Sequence, residues 1–188
     1  MVCNLVTKEA QEIIKAGRKK WRETSEEYKQ GWWTALSTEI AGFIQWWDTL
    51  KEIDRKLPVD IWDIARKTRW EWSFNLGKKM GQDYKDHDLK DLYHGYIETF
   101  EGTCDMEFTE FNDEAIAWRV HKCPCHQIFK ESGKTDEEIK ELADLYCLMD
   151  IGCMSGFNPN FEVFHQPRLL MKGDPYCTYR IEYKEKNK

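Results

Sequence analysis

Four side chains in the second half of the chain could carry acid–base or nucleophilic chemistry. Cys147 and Asp150 lie three residues apart on a predicted helix and share one face. Asp150 continues the apolar stripe of that helix, and a carboxylate on a buried face needs a partner or a raised pKa. His165 and Cys177 fall on inward positions of two predicted strands, where a histidine can carry a proton and a thiol can be a nucleophile. We expect these four residues to be catalytic; the structural alternatives are a loop cap, a core histidine and inert thiols.

A second cluster, of potential metal ligands, occupies a short segment between a predicted strand and a predicted helix. It consists of His121, Cys123, Cys125 and His126. Zinc prefers thiolate and imidazole ligands in tetrahedral geometry, but a C-x-C pair is less favourable than C-x-x-C, so further ligands would have to come from elsewhere. The structural alternative is a strand-to-helix junction with its thiols packed inside. We expect no cofactor, with zinc or another thiol-bound metal as the alternative.

Tryptophan is abundant, with nine residues in the chain. The adjacent pairs Trp32-Trp33 and Trp46-Trp47 cannot both point the same way on a helix. One ring of each pair should therefore line a second surface, which could be a cavity, a partner helix or a dimer interface. Core packing is the default for tryptophan, and a homo-oligomer formed through a Trp-rich surface is the alternative.

Composition limits the classes of partner. The 188 residues carry a formal net charge of −6, and an acidic surface repels phosphate backbones, so we expect no nucleic-acid partner. No stretch approaches the roughly 20 apolar residues that span a bilayer, and the first residues do not resemble a signal peptide. We expect a small-molecule substrate, no membrane association and a cytoplasmic protein whose seven cysteines are reduced.

Residues 1–97 are typical of a helical region. Apolar residues repeat at helical spacing in four stretches. Thr7 is a plausible N-cap of the first helix, Pro58 is suited to the first turn of the third, and Gly81 to its end.

Residues 98–188 change to a period of two, which indicates strands. Two hairpin strands come first, a helix with a capping box at Thr135 follows, and two further strands close the chain. Gly152, Gly156 and Asn158-Pro159 predict a loop before the third strand. The order β-β-α-α-β-β predicts an α+β fold, in which the N-terminal helical layer packs on a four-stranded antiparallel sheet. We expect the two regions to form one continuous compact domain.

Several motifs of the second region resemble the L-2-amino-thiazoline-4-carboxylic acid hydrolase-like family, over roughly residues 98–183. They are Cys123-Pro124, the helix end Cys147-Leu148-Met149-Asp150, Phe157-Asn158-Pro159, and an apolar run followed by Gly173-Asp174, two residues and Cys177. The closing strand pair is also similar to four-vinyl-reductase-type small-molecule-binding domains. Some of those domains bind zinc; Cys177 fits their pattern, whereas Leu169 stands where a second cysteine would be expected.

The resemblance implies a hydrolase that breaks the C–N or C–S bond of a small cyclic amidine-like compound. Such a reaction needs an activated water or thiolate and an acid for the departing atom. Candidates for substrate contact are Asn158 or Asp174 for the amidine nitrogens, Arg168 or Arg119 for a substrate carboxylate, and Trp118. The alternatives are a non-catalytic small-molecule-binding or sensor module and a Cys/His metal-binding protein.

Overall fold

The computed structural model describes residues 5–56, 60–165 and 168–184, apart from the side chain of His165. Within these residues the fold is α+β, with one four-stranded antiparallel sheet beside a larger helical part. The predicted fold class is therefore confirmed. No helix in the described ranges is both long enough and apolar enough to cross a membrane.

Three long helices open the chain: α1 (Lys8–Glu23), α2 (Glu26–Asp54) and α3 (Ile61–Gly81). Each begins at a residue whose side-chain oxygen accepts a backbone N–H, namely Thr7, Ser25 and Asp60. The predicted cap at Thr7 is thus confirmed. The prediction for Pro58 falls outside the described residues.

The next helical segment changes its winding along its length. It runs through α4 (Leu89–Leu92), a π-helical turn (Tyr93–Ile97) and α5 (Glu98–Glu101). A π turn inserts an extra residue into the helical repeat and often occurs at functional sites. Here it supplies the buried side chain of Tyr96.

The sheet contains β1 (Asp105–Phe111), β2 (Ala115–Lys122), β3 (Phe161–His165) and β4 (Cys177–Tyr183), in the order β1-β2-β4-β3. Its pairs are antiparallel, and Tyr179 on β4 lies opposite Trp118 on β2 and His165 on β3. Cys177, Tyr179 and Ile181 are buried, as the alternation predicts. This row of β4 side chains faces the helices and contributes to one continuous core.

The remaining helices lie between β2 and β3: α6 (Pro124–Glu131), α7 (Asp136–Tyr146) and α8 (Leu148–Phe157). The capping box at Thr135 is confirmed. The loop predicted at Gly152 and Gly156 is wrong, because both glycines lie inside α8. A Cβ at Gly152 would overlap Ser73, and one at Gly156 would overlap the backbone of Phe74. These glycines allow α8 to approach α3 closely, a packing role that the sequence pattern does not distinguish from a turn signal.

Candidate functional site

A cavity of about 330 Å³ lies between the helical layer and the sheet, within the size range of small-molecule sites. Its walls are mainly apolar and aromatic. The ionisable side chains that line it are Glu39, Tyr96, Cys104, Cys123, Cys125, His126, Tyr146, Cys147, Asp150, Cys177 and Tyr179. Ala35 and Thr99, which are exposed, also line it, so the cavity reaches the surface between α2 and α5.

Asp150, in the first turn of α8, is the carboxylate at the centre of this wall. It is half-buried and lines the cavity. The hydroxyl of Tyr96 donates to Oδ1 at 2.7 Å, and the hydroxyl of Tyr179 donates to Oδ2 at 3.0 Å. Burial raises the pKa of Asp150 to about 6, although both hydroxyls favour the ionised form.

The two hydroxyls leave acceptor capacity on Asp150. A carboxylate offers about four lone-pair sites, and one hydroxyl occupies a site on each oxygen. Both oxygens can therefore accept a further hydrogen bond from a ligand or a water in the cavity. A carboxylic acid with a pKa of about 6 can also gain or lose a proton near neutral pH.

Three cysteines form a cluster at the start of α6, called the thiol triad here: Cys104, Cys123 and Cys125. The neighbouring thiols of Cys104 and Cys125 and the backbone N–H groups of Cys125 and His126 favour the charged form of Cys123. These groups hold the pKa of Cys123 well below that of an ordinary thiol, while the interaction with Cys123 and then burial raise the pKa of its two neighbours. Cys123 also precedes the first helical residue, Pro124, where the helix dipole favours negative charge.

The two cysteines predicted to be nucleophiles lie in the same cavity in a different environment. Burial raises the pKa of Cys147 far above the ordinary value and that of Cys177 to about 12. Cys177 Sγ accepts the backbone N–H of Leu170 at 3.2 Å. Both are neutral thiols near neutral pH, and their catalytic roles remain predictions. The backbone of His165 pairs with Tyr179; its side chain lies outside the described part of the chain.

A polar chain connects the thiol triad with the helical layer. The hydroxyl of Tyr146 donates to Glu39 Oε2 at 2.7 Å and lies 3.7 Å from Cys125 Sγ. Glu39 is paired in turn with Arg69, whose Nη2 is 3.4 Å from Oε1. The chain therefore runs from Cys123 through Cys125 and Tyr146 to a carboxylate on α2.

The predicted substrate-contact residues divide into two groups. Trp118 lines the cavity and stacks on Tyr179, with ring centroids 5.1 Å apart. Asn158 and Asp174 instead hold backbone, because Asn158 donates to the carbonyl of residue 87 and Asp174 accepts the N–H of residue 169. Arg119 pairs with a carboxylate on β1, and Arg168 bonds the Tyr176 hydroxyl; neither lines the cavity.

The predicted metal cluster is divided between two places. His121 lies outside the cavity lining and contacts Glu107, with 3.1 Å between Nε2 and Oε2. Cys123, Cys125 and His126 line the cavity. Over the ranges that the structure describes, no three His, Cys, Asp or Glu side chains come together in a way that could hold a metal ion.

Sequence reasoning missed several polar residues of the site. They are Tyr96, Tyr179, Cys104, Tyr146 and Glu39. The tyrosines fall on apolar helical or strand stripes, so their sequence positions alone do not distinguish them from ordinary core residues. The usable signal was the inward parity of Tyr179 together with the buried Asp150, since a buried carboxylate requires donors.

The comparisons with known proteins bear on this arrangement. The family model L-2-amino-thiazoline-4-carboxylic acid hydrolase matches residues 43–181, about three quarters of the chain. This chain belongs to that family. The matched residues include Asp150, both of its tyrosine partners and the thiol triad, and the match supports a hydrolase-like function in general.

The other comparisons found little. No curated protein matches the chain. Among solved structures, a trafficking protein particle complex subunit 3 from Naegleria fowleri covalently bound to palmitic acid is 11% identical. The alignment covers 79% of this chain and 96% of that chain, with a TM-score of 0.48.

Proposed function

We propose that this protein is a hydrolase that opens a small cyclic amidine-like compound at its C–S bond, with Asp150 and Cys123 as catalytic residues. The observation that carries the proposal is an Asp150 carboxyl with a pKa of about 6 that lines the same cavity as a thiol cluster. Family membership supports the reaction class. The substrate-binding surface would be the cavity wall, with Trp118 and Tyr179 as a flat stacking platform.

In the first step, the Cys123 thiolate attacks the ring carbon that carries the nitrogens and the ring sulfur. A bond forms between Cys123 Sγ and this carbon, and the carbon–ring sulfur bond breaks with its electron pair on the departing sulfur. Protonated Asp150 gives its proton to that sulfur, which becomes a thiol. The product of this step is an S-amidino group on Cys123 and an ionised Asp150.

In the second step, water attacks the same carbon. Asp150 takes one proton from the water, and the other passes to a nitrogen of the amidino group. The carbon–Cys123 bond breaks, its electron pair returns to Cys123 as thiolate, and the carbon becomes the carbonyl of a urea. The net reaction consumes one water and restores both residues. The donors to Cys123 would stabilise the thiolate each time that it forms.

The test combines turnover with a search for the intermediate, with 2-amino-2-thiazoline as the first compound. Replacing Asp150 with Asn or Cys123 with Ala should each lower kcat/KM by about 100- to 10,000-fold. Acid-quenched wild-type protein should carry an S-amidino adduct on Cys123, detected by peptide mass spectrometry.

Cys153→Ala is the matched control, because Cys153 is a buried cysteine of α8 outside the cavity lining. It should retain both turnover and the adduct. Wild-type rates in either Asp150→Asn or Cys123→Ala, in variants shown by circular dichroism to be folded, would remove that residue from the mechanism. Tight binding by the wild type without turnover would instead favour a non-catalytic binding module.

A further inference from the structure

The carboxylates that line the cavity share its wall with no described cationic side chain. Its acidic side chains are Asp150 and Glu39, and no Lys or Arg is among the described side chains that line it. His126 also lines it, but burial lowers the pKa of this imidazole below 6.5, so it is neutral near pH 7. The described lining therefore contains two carboxylates and no cation near pH 7, and Cys123, whose pKa is lowered by its neighbours, adds a further negative charge when it is ionised.

Arg69, which contacts two of the lining residues, is already committed to other groups. Arg69 pairs with Glu39 and lies 3.4 Å from the sulfur of Met149. Its guanidinium also lies against the rings of Trp72 and Tyr146. Its Nε is buried with no hydrogen-bond partner among the described residues, but the side chain does not line the cavity. Arg69 therefore pairs with Glu39, and its charge also favours the ionised form of Asp150, but its side chain is not part of the wall that a ligand would touch.

These surroundings discriminate between ligands by charge. A ligand carboxylate that entered would lose its hydration, find no cationic partner among the described lining side chains and lie near the like charge of Asp150, each of which is unfavourable. An amidinium would gain the opposite interaction, because both oxygens of Asp150 retain acceptor capacity. The cavity accordingly favours a cation or a neutral amidine over an amino-acid-like zwitterion.

The rest of the wall indicates the other part of the ligand. Aliphatic and thioether side chains surround the polar centre, including Met106, Val120, Met154, Leu169 and Met171. Methionine side chains adapt readily to irregular apolar groups. This wall can bury an apolar substituent on the ring, which a bare thiazoline does not supply.

We propose that the substrates of this protein are cyclic amidines that carry an apolar substituent and no carboxylate. This specificity differs from the carboxylate-bearing compound in the family's name. The inference rests on the proposed function for its reaction and on the charge of the cavity for its substrate class.

The test measures binding and turnover separately for two probes: 2-amino-4-butyl-2-thiazoline and 2-amino-2-thiazoline-4-carboxylate. Isothermal titration calorimetry at pH 7 should give at least ten-fold tighter binding for the butyl compound, and kcat/KM should follow the same order. Preference for the carboxylate compound, or binding of neither, would overturn the inference.

A variant that adds a positive charge to the cavity wall makes the test specific. Leu170, which is half-buried and lines the cavity, can be replaced by Lys, whose long stem can reach along the wall. Leu170→Lys should reduce the preference for the butyl compound by at least ten-fold through better binding of the carboxylate compound. The uncharged control Leu170→Met should keep the wild-type preference.

The outcomes separate the two proposals. Preferential binding of the butyl compound without turnover would leave the substrate class standing and remove the hydrolase. Efficient hydrolysis of the carboxylate compound, with no hydrolysis of the butyl compound, would keep the hydrolase and remove the substrate class. An unchanged preference in Leu170→Lys, with thermal unfolding showing a folded variant, would show that the charge of the cavity does not set specificity.

Discussion

Helix α8 packs one face against α3 and presents another to the cavity. The first face is in tight backbone contact, and the second borders open volume. Against α3, glycines bring the backbones together and leave no room for another methyl group. Toward the cavity, Asp150 and Met149 line open volume beside thiols and tyrosines. The ionisable side chain of the tightly packed face is the thiol of Cys153, whose pKa burial raises to about 12 so that it stays neutral, whereas the open face contains a carboxyl whose charge is costly to bury.

This difference explains how the unfavourably buried carboxylate of Asp150 is held in position. A small movement of the backbone toward solvent would normally reduce the free-energy cost of burying a carboxylate. Close contact between α3 and α8 resists that movement, because backbone atoms cannot rotate out of the way as side chains do. The tight packing of α8 against α3 therefore holds Asp150 in its place in the cavity.

The largest effect should come from filling the tight face. A Cβ at Gly77 would overlap the backbone carbonyl of Cys153. Gly77→Ala should thus destabilise the protein by about 3 kcal/mol, measured by urea unfolding. The control is Gly31→Ala at an exposed position of α2, where a Cβ meets nothing within 4 Å. The better helix propensity of alanine should raise the stability there by about 0.5–1 kcal/mol. Equal effects at the two positions would show that α3 and α8 are not in backbone contact.

The second prediction concerns the charge on the open face. The folded-state pKa of Asp150 is raised from 3.8 to about 6, so the folded protein binds more protons than the unfolded chain in this window. Its stability should fall as pH rises through the window, by up to about 3 kcal/mol. Asp150→Asn should remove this loss, and the free energies of unfolding of the two proteins should diverge between pH 4 and 7. Parallel curves would mean that Asp150 titrates like an exposed aspartate.

The smallest expected effect is the loss of one donor. Tyr96→Phe removes the hydroxyl that donates to Asp150 Oδ1, and should cost about 1.5 kcal/mol at pH 8, where the carboxylate is charged, and less at pH 4. The pKa of Asp150 should rise further, so the stability loss described above should extend to higher pH.

Tyr93→Phe is the matched control for that variant. Tyr93 lies in the same π-helical turn and donates to a different carboxylate, Glu101. Its replacement should leave the titration of Asp150 unchanged, as followed by the pH dependence of unfolding. A shift of equal size in both variants would point to a general loosening of the turn.

Much of the architecture was predictable from local patterns. The cap at Thr7, the capping box at Thr135 and the inward row of β4 each depend on interactions a few residues apart, so the sequence displays them directly. The glycines of α8 were misread because a glycine needed for close packing and one needed for a turn look alike in sequence. Only the position of α3, which is distant in the chain, decides between them.

The site was predictable to a smaller extent. The apolar stripe of its helix placed Asp150 toward the interior, strand parity placed Cys177 there, and both line the cavity. The thiol triad was not predictable, because Cys104 reaches Cys123 only through the pairing of β1 with β2. The arginines suggested for a substrate carboxylate were chosen by residue type alone, and their side chains lie on other surfaces.

The π-helical turn at Tyr93–Ile97 makes this site sensitive to the length of the chain as well as to its composition. Each residue of an α-helix advances by about 100°, so removal of a single residue from the turn would restore ordinary winding and rotate Tyr96 away from α8. A relative of this protein could keep every side chain named above and still lose the donor to its carboxylate through a one-residue gap. When relatives are aligned, the spacing between α4 and α5 therefore says as much about a shared site as the identity of the tyrosine.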